Sequence, residues 1–478
     1  MSASRPVALD LFCGAGGMSL GFERAGFDVL AAIDNDPVHL AVHARNFPHT
    51  NTVCADVSTL TKARLRRAIA EGWRMSGRTD PWDGTLDCVF GGPSCQGFSD
   101  MGKQNEDDER NNLIFSFARI VKMLKPKAFV IENVPGLMFE KVRPRLHQLQ
   151  EDLIAHGYTL SSDLPYMMNA ADYLVPQNRR RVFIIGTLDG TQIPRPTPIS
   201  TKVTVSDALD RLPNATAYRS LIANDHLRLT VDDLERLSDG RSEYEHQLRS
   251  RNGLEYERVW DRSVLTGNRR TVHSIDVVKR FRALAPGAPD PVSRTNRLCP
   301  DGQAQTLRAG SAQDHGSYTA PRPVHHRYPR VITVREAARL HSYPDWFAFN
   351  TAKWHALREI GNSVPPNLAT AVATSVADAL SLPQIEPFTS MELGGDELRP
   401  DPERSGPLLV GPRFVGRRRA LATALVEVAR CVATEHARRV DGDQRWSWRW
   451  IVTGGFESTH GLDECRRDHV GGRLIVSE

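Results

Sequence analysis

Short apolar runs that end in polar or glycine-containing turns recur along the first 190 residues and alternate with helix-like segments. The stretch NLIFSFARIVKMLKP, for example, is amphipathic with helical periodicity and ends at a proline. Strands that alternate with helices predict an α/β fold, with a doubly wound, Rossmann-like parallel sheet covered on both faces. Ligands of such sheets bind at the carboxyl ends of the strands. The five runs lie at 7–12, 29–36, 86–93, 127–134 and 180–187.

The alternation stops near Gly190, where the proline-rich stretch TQIPRPTPIS begins, and regular structure resumes at VITVREAARL. Between Gly190 and Arg330 there are 22 Lys+Arg and 16 Asp+Glu, an excess of six positive charges, whereas the whole chain carries +4. Concentrated positive charge favours a nucleic-acid partner. We expect a first catalytic part, an inserted domain and a returning catalytic part at 1–189, 190–328 and 329–382.

The remaining sequence predicts a linker at 383–407 and an extension of unknown role at 408–478. The extension contains one basic helix-like stretch, RRRALATALVEVARCVATEHARR, and an aromatic cluster, WSWRW. These features are equally compatible with three roles for the extension: further contact with DNA, docking on the catalytic domain, or binding of another protein.

Bulk composition narrows the class of protein. A chain of 478 residues with 40% hydrophobic and 25% charged residues is typical of a soluble protein with two or three domains. Its apolar runs are shorter than the roughly 20 residues of a membrane span, and MSASRPVALDLF lacks a signal-peptide pattern, so we expect a cytoplasmic protein. Seven scattered cysteines without CxxC pairs indicate reduced thiols and no metal site.

The loop after the first run, DLFCGAGGMSLGF, carries the first candidate site. Gly14, Gly16 and Gly17 let the backbone turn sharply and approach a ligand. A dinucleotide-binding loop would require a further glycine where this chain has Ser19. The loop therefore suits a ligand without a pyrophosphate, although a plain tight turn is an equally good explanation of the glycines alone.

Carboxylates follow at the ends of the next predicted strands. Asp34 and Asp36 end the second strand, where they can bond ribose hydroxyls, and Asp56 follows the third, where it can accept from an exocyclic amine. Phe12 can lie against an adenine face. Together these residues predict a site for an adenosine-containing cofactor.

Two further strand ends carry reactive groups. Cys95, in GGPSCQGFSDMGK, is either a nucleophile or a small buried residue, and one loop cysteine alone does not decide between them. Glu132, in VIENVPGL, ends an apolar strand and is either a solvated strand end or a partly desolvated carboxyl, whose raised pKa would suit it to donate a proton.

Two polar motifs lie later in the chain. In DYLVPQNRRRVFIIG, side-chain alternation places Gln177, Arg179 and Arg181 on one face of an extended segment. The arginines there either hold an anionic or carbonyl-rich substrate or belong to an exposed basic strand. In EIGNSVPPNLA, Asn362 and Ser363 either cap the following helix or contact a cofactor.

These blocks, in this order, resemble the signature motifs of DNA cytosine-5 methyltransferases, enzymes that use S-adenosylmethionine. The resemblance covers roughly residues 7–188 and 329–382, and the family's variable target-recognition region is expected between them. It is carried by DLFCGAGG, GGPSCQGFS, ENV, QNRRR, TVREAARLHSYPDWF and GNSVPPNL.

The resemblance implies a role for each matching residue. Cys95 matches the nucleophile that attacks cytosine C6, and Glu132 the residue that bonds N3 and the amino group. Arg179 and Arg181 match the arginines that stabilise the activated base. The matches to S-adenosylmethionine contacts are Phe12, Gly14, Gly16, Asp34, Asp56, Leu113, Asn362 and Ser363. The matches near the flipped base or the DNA are Gln96, Ser99, Gln177 and Thr306.

The expected activity is sequence-specific methylation of duplex DNA after the base has been flipped out of the stack. Family habit suggests the modification half of a restriction system, acting as a monomer, with a restriction endonuclease as partner on the same site. A tRNA methyltransferase and a catalytically silent DNA-binding regulator are the alternatives. The Cys-Phe-Thr tripeptide typical of the former is absent, and the residues expected to be lost in the latter, Cys95 and Glu132, are present.

One position departs from the family pattern. Most members have proline where this chain has Ser94. Proline fixes φ and lacks an N–H, so we expect a working but more flexible loop here. The DNA sequence that the enzyme recognises cannot be read from the chain.

Overall fold

A computed structural model describes residues 4–93, 113–161, 165–239, 242–310, 320–387 and 390–392. The strands are β1 Val7–Leu11, β2 Asp28–Asp34, β3 Asn51–Cys54, β4 Cys88–Gly91, β5 Ala128–Asn133, β6 Thr159–Leu160, β7 Tyr166–Asn169, β8 Gln177–Asn178, β9 Arg180–Thr187, β10 Leu227–Arg228, β11 Glu257–Val259, β12 Val264–Leu265, β13 Ala304–Gln305 and β14 Ser390–Glu392. The helices are α1 Gly17–Arg24, α2 Pro37–Asn46, α3 Lys62–Met75, α4 Leu113–Leu124, α5 Arg143–Ala155, α6 Val205–Leu209, α7 Val231–Ser238, α8 Glu243–Arg249, α9 Ile275–Ala283, α10 Val334–Arg339, α11 Lys353–Asn362 and α12 Pro366–Ala379.

The predicted α/β class is confirmed by one central sheet with the strand order β3-β2-β1-β4-β5-β9-β6, in which β7 also pairs with β9. The strands from β3 to β5 are parallel to their neighbours. The chain reverses its direction of strand addition between β3 and β4, so the carboxyl ends of β1 and β4 adjoin at the switch point, where ligands of such sheets bind.

The expectation of an entirely parallel sheet is wrong at one edge. β9 is antiparallel to β5, with Glu132 opposite Phe183, and β6 and β7 are antiparallel to β9. β7 reaches β9 through a short connection, Ala170–Arg179, which suffices for antiparallel neighbours, whereas a parallel pair needs a longer crossover.

Helices cover both faces of the sheet, as the run-and-helix pattern predicted. One face packs on α1 and α12, where the rings of Phe22 and Phe90 stack with their centroids 3.7 Å apart. The other face packs on α3, α4 and α5 through residues such as Leu65, Phe117 and Leu149. Complete burial of a side chain of this size stabilises the fold by roughly 1.5–3 kcal/mol.

The sequence sets the helix boundaries locally. Asp36 begins α2 by accepting from the N–H groups of Val38 and His39. α4 ends at Leu124, and Lys125 adopts a left-handed φ of 50° before Pro126. Thr333 and Glu336 form a reciprocal capping box at the start of α10.

Residues 190–330 contain short elements whose apolar side chains share a core with the returning part of the chain. That cluster joins Leu209, Leu248 and Leu298 to Ala338 and Tyr343. Within the stretch predicted as a linker, β14 pairs in parallel with β11. Among the described residues, none of the helices is long and apolar enough to cross a membrane. The predicted extension at 408–478 lies outside the described residues.

Candidate active site

The glycine loop at the carboxyl end of β1 combines crowded and open positions. Phe12, Gly14 and Gly16 have positive φ values of 61°, 52° and 100°. A side chain on Gly17 would meet the carbonyl oxygen of Val364 at 2.4 Å, so this turn packs directly on the returning segment. Among the described residues other than its chain neighbours, none has an atom within 4 Å of the corresponding position on Gly14. The loop therefore leaves an opening beside Gly14, bordered by the half-buried ring of Phe12.

Two of the three predicted carboxylates lie together at the end of β2. Asp34 accepts a hydrogen bond from the N–H of Gly14 at 2.9 Å and another from the N–H of Asp36 at 2.8 Å. Burial raises the pKa of Asp34, and these two bonds offset part of that effect. Asp56 is exposed beyond β3 and accepts from the N–H and hydroxyl of Ser58. Asp34 thus belongs to the glycine loop, whereas Asp56 lies at the solvent boundary.

A buried polar group beneath the loop was not singled out from the sequence. Ser19 donates to Asp10 at 2.6 Å, and its hydroxyl lies 2.9 Å from Nε2 of His43. Burial raises the pKa of Asp10 well above its usual range and lowers that of His43 to about 3. Ser19 stands where a dinucleotide-binding motif would have glycine, and its hydroxyl instead links α1 to β1 and α2.

Glu132 and Arg181 form an ion pair across β5 and β9. Nε of Arg181 lies 2.8 Å from Oε1 of Glu132, and both side chains are about one-tenth exposed. Burial raises the pKa of Glu132, as predicted, while the neighbouring Arg181 and Arg179 act against it. A side chain on Gly92 would lie 2.6 Å from Oε2 of Glu132, so only glycine lets the chain pass this carboxyl without a shift.

Asn133 ties the next loop to the same site. Its Nδ2 donates to the carbonyl of Pro93 at 3.0 Å, and its Oδ1 accepts from the N–H of Val134. Pro93 is the last described residue before the loop that carries the predicted nucleophile. This contact, together with Gly92, holds the start of that loop beside Glu132.

The predicted alternation along QNRRR is confirmed. Gln177, Arg179 and Arg181 are buried, whereas Asn178 and Arg180 are exposed. The side chain of Gln177 makes its hydrogen bonds within the protein. Its amide N–H groups donate to the Leu340 carbonyl and to Nδ1 of His341, and its Oε1 accepts from the N–H of Leu307.

Arg179 is fully buried and joins two distant segments. Its guanidinium donates to the carbonyls of Leu307 at 3.0 Å, Gly361 at 2.7 Å and Ser363 at 2.9 Å. Nε2 of His341 lies 3.1 Å from that last carbonyl. Arg179 therefore holds the end of the inserted region and the returning segment against β8 and β9.

The remaining predicted residues lie at the rim. Asn362, the last residue of α11, is exposed, and Ser363 donates to the carbonyl of Ile360 at 2.9 Å. The alternative that they cap the next helix is wrong, because α12 starts after Pro365 without a side-chain cap. Leu113 is half-buried at the start of α4.

Thr306 is exposed and donates to the carbonyl of Asn178 at 2.7 Å, in the segment where β13 pairs with β8. Three predicted site residues, Cys95, Gln96 and Ser99, lie outside the described residues, as does the unusual Ser94.

The described residues define the class: an α/β protein with a glycine-lined opening at the ends of β1 and β2 and a buried acid–arginine pair across β5 and β9. The family model for C-5 cytosine-specific DNA methylases matches residues 7–378. The chain belongs to this family, and membership implies DNA as the substrate and S-adenosylmethionine as the methyl donor.

Individual relatives agree with this assignment. The type II methyltransferase M.XorII of Xanthomonas oryzae pv. oryzae is 44% identical over 399 residues, which cover 83% of this chain and 90% of the relative. M1.HphI of Haemophilus parahaemolyticus is 32% identical, covering 77% and 86%. A solved prophage-encoded protein of E. coli, described as a DNA modification methyltransferase, is 34% identical with a TM-score of 0.63, covering 79% and 99%.

Proposed function

We propose that this enzyme methylates C5 of a cytosine flipped out of a specific duplex sequence, with Cys95 as nucleophile and Glu132 as proton donor. The observation that carries the proposal is the buried Glu132–Arg181 pair, 2.8 Å across, beside Gly92. Cys95 follows Pro93 by two residues in the sequence, and Pro93 is bonded to Asn133, the residue after Glu132.

The cradle on β1 and β2 suits S-adenosylmethionine. The opening beside Gly14 admits a ligand against the backbone, the ring of Phe12 offers a stacking surface, and Asp34 offers carboxylate oxygens for ribose hydroxyls. Asp56, Leu113, Asn362 and Ser363 complete the proposed contacts. When bound, this group supplies a methyl carbon made electrophilic by its sulfonium.

The chemistry on the base follows from the residue types. The Cys95 thiolate forms a bond to C6 of cytosine, and the displaced electron pair moves into the ring toward N3. Glu132 in its protonated form, which burial favours by raising its pKa, donates its proton to N3, and Arg181 offsets charge at O2. C5 is then an enamine carbon that would take the methyl group as the carbon–sulfur bond of the sulfonium breaks and leaves a neutral thioether. Loss of the C5 proton to a base expels the thiolate, and return of the N3 proton to Glu132 restores neutral, aromatic 5-methylcytosine.

Arg179 contributes to this site by holding the backbone in place. The three hydrogen bonds of its guanidinium go to backbone carbonyls, so we assign it to positioning of the returning segment. We assign Gln177 the same positioning role, because its side chain bonds the backbone N–H of Leu307 and the ring of His341. Gln96, Ser99 and Thr306 are proposed contacts to the flipped nucleotide or its phosphate.

The biological setting is the modification half of a type II restriction system, in the cytoplasm, with a monomer acting on DNA. The names of the relatives M.XorII and M1.HphI support this proposal. The partner would be an endonuclease that cuts the same sequence without a stable complex. DNA from cells that express the enzyme should resist that endonuclease, and bisulfite sequencing of the DNA identifies the target.

The direct test is methyl transfer from labelled S-adenosylmethionine to mixed-sequence duplex DNA, with tRNA as the competing substrate. We expect 5-methylcytosine in DNA only. Glu132→Gln should lower the rate by about 10²–10⁴-fold, the usual contribution of a positioned acid. The matched control Glu140→Gln alters an exposed carboxyl in the following turn and should leave the rate unchanged. Label in tRNA alone, or full activity in Glu132→Gln, contradicts the proposal.

A further inference from the structure

A tight turn at residues 290–295, which we call the 290–295 turn, is built around one buried carboxylate. Oδ2 of Asp290 accepts from both the N–H and the hydroxyl of Ser293 at 2.7 Å. The backbone of Asp290 closes the turn as well. Its N–H donates to the carbonyl of Thr295, and its carbonyl accepts from the N–H of Arg294. The turn is thus fixed from inside.

The turn is also fastened to a basic helix. Nε of Arg280, in α9, lies 2.5 Å from Oδ1 of Asp290. Lys279 and Arg282 are exposed on the same helix. The turn and α9 therefore form one positively charged unit whose backbone conformation is determined before any partner arrives.

This rigid unit exposes one apolar and one basic side chain to solvent. Val292, at the tip, is 70% exposed, although a valine gains by burial. Arg294 is exposed and holds a left-handed φ of 56°, a conformation that non-glycine residues adopt when the surroundings impose it. The turn thus exposes an apolar side chain and, two residues later, an arginine, on a backbone that is fixed through Asp290.

The turn leads directly to the candidate active site. Its two arms are joined by a bridge between Pro289 and Asn296, and the second arm pairs through Arg297 with Val324. Seven residues further on, the same segment forms β13 against Gln177 of β8. The turn is therefore connected through a short, hydrogen-bonded segment to the residues around Arg179.

We propose that the 290–295 turn reads base edges of the target duplex, with Arg294 as a donor to a base and Val292 as an apolar contact. This proposal rests on the proposed function and names the element that selects the sequence. Arginine commonly donates to guanine in the major groove, and apolar side chains contact thymine methyl groups or enter base steps. The exposed basic residues of α9 complement the phosphates on either side.

The test compares sequence preference in the parent enzyme, Arg294→Ala, Val292→Ala and the control Val231→Ala. Val231, on α7, is equally exposed at 70% but lies outside the turn. A random duplex library is read in two ways: by bisulfite sequencing after methylation, and by sequencing the duplexes that each protein retains. Only the first readout depends on the proposed chemistry, so retention decides the assignment even where no DNA is methylated.

We expect Arg294→Ala to lose discrimination at one base pair of the target by roughly 5- to 150-fold in both readouts. Val292→Ala should weaken preference at a neighbouring position, and Val231→Ala should behave as the parent. Unchanged preference in both turn variants overturns the proposal. So does a uniform loss across all sequences, which marks a phosphate contact, or an equal change in Val231→Ala. Thermal melting of each variant confirms that it is folded.

Discussion

Replacing Arg179 tests whether the structure around the site depends on one buried guanidinium. Arg179→Met removes the donor from the carbonyls of Leu307, Gly361 and Ser363. A buried carbonyl left without its donor costs about 1–3 kcal/mol. Three such losses destabilise the protein, but the variant no longer buries a charged group, which offsets part of their cost. We therefore expect the free energy of unfolding to fall by about 3–5 kcal/mol. That is a large part of the roughly 5–15 kcal/mol typical of a folded protein.

Equilibrium unfolding in urea measures this loss, and Arg180→Met is the matched control because Arg180 is the exposed next residue in the chain, at the start of β9. Arg179→Lys, which keeps the charge but bonds fewer carbonyls at once, should lose about half as much. Since Ser363 also borders Gly17, S-adenosylmethionine should bind about tenfold more weakly to Arg179→Lys. An unfolding free energy of Arg179→Met within 0.5 kcal/mol of the parent, a margin usual for surface changes, would refute the reasoning.

Two further predictions concern stability and the cradle. Burial raises the pKa of Glu359 to about 8, so its stabilising contribution is complete below the unfolded value of 4.5 and is lost as pH rises through 8. At pH 9 the free energy of unfolding of Glu359→Gln should therefore exceed that of the parent by up to roughly 5 kcal/mol. Unfolding curves of the parent that are equal at pH 5 and pH 9 would contradict this. Gly17→Ala should destabilise by about 1–3 kcal/mol because it clashes with Val364. Gly14→Ala carries the strain of a left-handed φ, about 1–2 kcal/mol, and its side chain also projects into the opening, so it should in addition weaken S-adenosylmethionine binding. Cofactor titrations of the folded variants separate the two, and an equal loss of affinity in both would count against the open cradle.

The elements that repeat a local pattern could be predicted from the sequence. Apolar runs with polar ends predicted five of the eight described strands of the central sheet, β1, β2, β4, β5 and β9, and the period of two along QNRRR predicted the buried face of Gln177, Arg179 and Arg181. The raised pKa of Glu132 followed from its place at the end of an apolar strand. Each of these properties depends on neighbours within a few residues.

Other properties depend on partners far away in the chain. Arg179 bonds carbonyls 128, 182 and 184 residues further on, and no local pattern indicates them. The direction of β9 depends on the route of the chain through β7, which the apolar run alone does not specify. His341 lies in a quoted motif, yet its bond to Gln177 appears only when the returning segment is in place.

The measurement that tests the central claim most directly uses duplex DNA in which cytosine is replaced by 5-fluorocytosine. Addition of Cys95 to C6 and methyl transfer to C5 can proceed, but C5 then carries fluorine instead of the proton that must leave. The thiolate cannot be expelled, so we predict a covalent protein–DNA adduct that survives denaturation and requires S-adenosylmethionine. Absence of an adduct in the parent enzyme, or an equal yield from Cys95→Ala, would contradict the mechanism.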